Sequence, residues 1–91
     1  MIDVASFKTG AEMLATMLRE GRDESACFEC GRLLQLLTPL MSHFPGELQV
    51  RLVTLAKQLL QCQEQHDWVG LCDYLEYEFP HLLDELELVL V

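Results

Sequence analysis

Apolar residues recur along this chain at alternating spacings of three and four, the period of one face of an α-helix. The first run is Phe7, Ala11, Leu14 and Leu18, with Asp3 placed to cap its start and Gly21 to supply a left-handed residue past its end. A rival start lies at Thr9, because Thr9-Gly10-Ala11-Glu12 fits a capping box, but Phe7 is in phase with the stripe and favours the longer helix. The second run follows Asp23 as N-cap and carries Cys27, Cys30, Leu34, Leu37 and Met41. Its apolar arc also takes in Ala26, Leu33, Leu36, Leu40 and Phe44, about half the circumference of a helical wheel. So wide an arc predicts either a central helix or one whose edge, at Leu36 and Leu40, is covered by a second chain in a homodimer.

The third run opens after Gly46 as N-cap and reads Leu48, Leu52, Leu55, Leu59, Cys62 and His66, flanked by Val53, Ala56 and Leu60. Asp67 caps the fourth. There Trp68, Leu71, Cys72, Leu75, Phe79, Leu82, Leu83, Leu86 and Val89 fall within roughly 60° of one direction, and the phase is unbroken across Pro80. Proline removes an N–H and clashes with the carbonyl four residues back, here Glu76, so a kinked but continuous helix is expected. Pro39 predicts the same in the second helix. Strand signals are few, since β-branched residues are scarce. The breaks fall at Gly21-Arg22-Asp23, Phe44-Pro45-Gly46 and His66-Asp67, and loops this short make consecutive helices antiparallel neighbours. The prediction is all-α: an antiparallel up-down-up-down four-helix bundle with proline kinks in helices 2 and 4, one domain over residues 1–91.

Composition fits a single core. The chain has 91 residues, 51% of them hydrophobic, which argues against disorder, and no apolar run approaches the roughly 20 residues a membrane span needs. Met1-Ile2-Asp3-Val4 does not begin a secretory signal, so a soluble cytoplasmic protein is expected. The net charge is -9 and unevenly placed: six bases and seven acids lie up to Lys57, eight acids and no Lys or Arg beyond it. Such a surface repels phosphates, which excludes nucleic acid and anionic membranes as expected partners.

Several residues invite a chemical reading. Cys27-Phe28-Glu29-Cys30 is a C-x-x-C, and Cys62 with His66 adds two soft ligands, so Cys27, Cys30, Cys62 and His66 form a candidate zinc or redox set. Against it, all four cysteines sit within apolar arcs, where reduced cysteine acts as a small hydrophobe, and a redox C-x-x-C belongs at a helix start. Glu78-x-x-His81 is half of a di-iron motif that needs a second such pair. No nucleophile and base occur at a recognisable spacing and no glycine-rich phosphate loop is present. The expectation is therefore a non-enzymatic protein without cofactors.

The outer surface of the fourth helix remains. Gly70, Tyr74, Tyr77, His81 and Leu88 project away from the expected core, with Asp73, Glu76, Asp84 and Glu87 beside them and Val89-Leu90-Val91 at the end. Tyrosine offers apolar area with a hydrogen-bonding tip, so Tyr74, Tyr77, His81, Leu88, Asp73 and Asp84 are the candidate partner-binding residues. The stretch Asp67-Trp68-Val69-Gly70-Leu71-Cys72-Asp73-Tyr74-Leu75-Glu76-Tyr77-Glu78-Phe79-Pro80-His81-Leu82 resembles a pattern in small bacterial helical proteins, among them the flagellar export chaperones. That resemblance, carried by helices 3 and 4, implies an acidic helical bundle that holds an amphipathic helix of a partner protein. It implies no catalytic residues.

Overall fold

The computed structural model describes residues 3–90, apart from the side chain of Leu90; Val91 of the terminal Val-Leu-Val lies outside the described residues. Every regular element among them is helical. Helix α1 spans Val4–Arg19, α2 Asp23–Leu37 and α3 Gly46–Glu64. A C-terminal helix follows as α4 (Trp68–Asp73), a π-helical turn (Tyr74–Glu78) and α5 (Phe79–Leu90). At 1.5 Å per residue this last helix runs roughly 34 Å, nearly the 37 Å long axis of the molecule.

The helix ends follow local chemistry. Asp3 accepts from the Ser6 N–H at 3.2 Å, so the longer α1 prevails over the start at Thr9. Asp67 accepts likewise from the Gly70 N–H at 2.9 Å. After α1, Arg22 N–H donates to Met17 O and Gly21 N–H to Leu18 O, a Schellman closure with Gly21 at φ 78°. The same closure ends α3, where Asp67 N–H donates to Cys62 O and His66 N–H to Gln63 O. Here His66 takes the left-handed conformation at φ 54°, which costs a non-glycine residue about 1 kcal/mol or more. His66 therefore lies beyond α3, exposed, with its ring stacked on Trp68 at 5.4 Å, and not in the α3 stripe. Asp23 and Gly46 are the first residues of their helices, one place later than their expected cap positions.

Where kinks are expected at the two prolines, the helix changes type. Past Leu37 the α-helix gives way to a 3-10 helix over Thr38–His43 that holds Pro39. Ahead of Pro80 comes the π turn, in which the Phe79 N–H donates to the Tyr74 carbonyl five residues back. A π turn takes more residues per revolution than an α turn, so side chains four apart line up instead of drifting. That suits Leu71, Leu75 and Phe79, spaced four and four and all buried.

One apolar cluster joins the helices. Phe7, Ala11, Leu14 and Leu18 of α1 meet Ala26, Cys30 and Leu37 of α2, Leu52, Leu55 and Leu59 of α3, and Leu71, Phe79 and Leu83 of the C-terminal helix. Val89, expected inside, is exposed. Helix α1 packs along α2 on one flank and along the whole C-terminal helix on the other, and α3 packs along the C-terminal helix. Helices α2 and α3 approach less closely along their backbones than either does to its other neighbours, but their side chains meet, Cys30 with Gln63 and Leu37 with Leu48 and Leu52.

Candidate functional site

The candidate residues on the C-terminal helix do not share one environment. Asp73, Tyr77, His81 and Leu88 are exposed, Tyr77 by 67% and Leu88 by 81%. Tyr74 is half-buried and packed against the core cluster. The uniform helical wheel puts it outside, but the π turn begins at Tyr74 and departs from that wheel. Asp84 is exposed yet ion-paired with Lys8, which also lies 3.9 Å from Glu87.

The acidic row is thus largely a fastening between helices. Lys8 and Arg19 of α1 pair with Asp84 and Glu76, and Arg51 of α3 pairs with Glu85. A chain segment without a single base takes its counter-charges from both flanking helices. The Asp84 carboxylate holds the Lys8 ammonium above its ordinary pKa, through their hydrogen bond first and charge attraction after, against partial desolvation. What stays exposed is the acidic strip of Asp73, Tyr77, Glu78, His81 and Leu88.

The thiols lie elsewhere. Cys30 and Cys62 are buried, Cys27 and Cys72 half-buried, and all four are free. Burial pushes the Cys30 thiol up to about 11, with the neighbouring Cys27 adding to the rise and the Gln63 side chain opposing it. Burial also raises Cys27, helped by Asp23, and Cys62, helped by Asp67. Reactive or metal-binding cysteine needs the thiolate, and these environments disfavour it. His66 faces Trp68 beyond the end of α3, and among the described residues no three His, Cys, Asp or Glu side chains gather closely enough to hold a metal ion. Glu78 and His81 are both exposed, whereas a di-iron pair must point inward. Cys72 donates to Glu76 Oε1 at 3.2 Å beside the Arg19 pair, in a cleft of about 250 Å³ that Trp68 also lines.

No protein family, curated protein or solved structure matches the chain.

A groove of about 360 Å³ that no sequence expectation located lies between α1 and α2, lined by Met13, Met17, Leu33 and Leu36 with Arg22, Glu29 and Arg32. The available signal was Gly10, Met13 and Met17 at spacings of three and four, flanking the α1 stripe. Leu36, expected at an uncovered edge with Leu40, is exposed by 58%, whereas Leu40 is half-buried against the core. Among the described residues no helix is long and apolar enough to cross a membrane.

Proposed function

We propose that this chain is a non-enzymatic, cytoplasmic protein-interaction module that receives an amphipathic helix of a bacterial partner on the outer face of its C-terminal helix. The observation that carries this reading is the exposed strip of Tyr77, His81 and Leu88 set among Asp73 and Glu78 on a helix whose inner face is fully engaged. Large apolar side chains left in water beside unneutralised acids suit a partner that brings apolar ridges flanked by lysine or arginine. Its architecture on this reading is the up-down-up-down bundle bent near Pro39 and Pro80. The likeness of residues 67–82 to the flagellar export chaperones points the same way, toward a chaperone or adaptor role.

Pull-down with wild-type bait and with the double variant Tyr77→Ala/Leu88→Ala tests it. Both side chains touch mainly solvent, so the variant is expected to keep its Tm within a degree or two, roughly the cost of a surface change. It should lose a protein that the wild type retains. Equal recovery by both baits removes this face from consideration.

A further inference from the structure

The groove between α1 and α2 differs from the C-terminal helix in charge as well as shape. Every cation that joins one helix to another lies on a different flank: Lys8 and Arg19 toward the C-terminal helix, and Arg51 on α3. Arg22 and Arg32, at the edge of the groove, pair only with acids near in sequence, Glu20 at 3.6 Å and Glu29 at 3.2 Å. All four are substantially exposed. The groove is therefore lined by two positive groups, Arg22 and Arg32, and one negative, Glu29, with Glu20 adjoining beside Arg22, in a protein whose net charge is -9. Its walls hold Met13 and Leu36, exposed by 61% and 58%. Gly10 thins the α1 wall, since a Cβ there would meet Leu33 Cδ1 at 3.2 Å.

We infer that this groove is a self-association face, occupied by the same groove of a second copy in a two-fold dimer. Charge decides the occupant. Two copies of so acidic a chain repel each other least where charge is locally balanced. The strip on the C-terminal helix, which offers only acids, cannot meet itself. At the α1–α2 edge a two-fold axis would bring each arginine opposite the other copy's glutamate, so a balanced rim is complementary to itself. Methionine, leucine and arginine are also residue types that protein interfaces accommodate: Met13 is unbranched and long enough to enter the opposing groove between Met17 and Leu33. Such a dimer leaves both C-terminal helices outward, so it extends the partner-binding reading to a divalent one without sharing its face.

Sedimentation equilibrium on the full chain, with no partner present, tests this. Wild type is expected to dimerise. Leu36→Glu should self-associate roughly thirtyfold or more weakly, the loss expected at a central interface residue, with unchanged helicity. A charge test is independent of packing: Glu29→Arg and Arg32→Glu should each be monomeric alone and form a heterodimer when mixed. A monomeric wild type at the highest attainable concentration overturns the proposal, as does a dimer indifferent to Leu36→Glu. Failure of the two charge variants to pair on mixing overturns the two-fold arrangement. Neither result touches the C-terminal face, whose test uses a different protein and different residues.

Discussion

Single residues mark where periodicity predicts well and where it stops. Phe7, Ala11, Leu14 and Leu18 are all buried as their spacing requires, and so are Leu48, Leu52, Leu55 and Leu59. His66 and Tyr74 depart from their expected places for a backbone reason in each case, a left-handed closure and a π turn. Neither is visible to a wheel that assumes one uniform α-helix. The thiols, predicted as filler, include one with a measurable consequence. Cys30 is buried and its pKa is raised from 9.0 to about 11, so the folded state holds its proton more tightly than the unfolded state. Its contribution is fully present below pH 9 and is lost as pH rises toward 11, about 3 kcal/mol over that window. Lys8, Cys27 and Cys62, also raised, act with the same sign. The Tm should fall steeply between pH 9 and 11. In Cys30→Ala it should start lower, because a packed side chain is lost, and fall less over the same interval. Identical slopes in the two proteins would assign the alkaline loss to other groups.

At the scale of elements, the helices and their order were legible because each stripe is long and each break is chemically marked. Helix type was not. A proline in an in-phase stripe says that the chain continues, but whether it continues as α, 3-10 or π depends on which side chains find a place inside. The π turn is favoured by the four-and-four spacing of Leu71, Leu75 and Phe79 as well as by Pro80. Replacing the proline alone should therefore leave the turn in place. Pro80→Ala supplies an N–H to an upstream carbonyl that proline cannot serve, a gain of about 1 kcal/mol. Thermal unfolding should show that increase, and amide exchange should still report a weak spot over residues 74–78. Loss of that weak spot would mean that the proline alone holds the π turn.

For the whole molecule, the division of charge read from the sequence foretold an acidic C-terminal face but not its use. The sequence gives no sign that Glu76, Asp84 and Glu85 would reach Arg19, Lys8 and Arg51, since those pairs depend on which helices become neighbours. For the same reason the α1–α2 groove was hidden. Exposed ion pairs contribute about 0–1 kcal/mol each, less than the repulsion among a large excess of like charges. Raising ionic strength to about 0.15 M should thus increase the Tm, because screening removes more repulsion than attraction. A decrease would show that the cross-helix pairs dominate.

Helix α3 finds its long-range packing on the C-terminal helix, and α2 finds its own on α1. A ribosome that has completed only the first three helices holds α3 without its principal cover, and the Leu55 and Leu59 side chains stay partly in water until the C-terminal helix has left the exit tunnel. Folding of this bundle is thereby tied to synthesis of its last helix, and a nascent chain that stalls before Trp68 exposes to the cell an unburied surface that the folded bundle conceals.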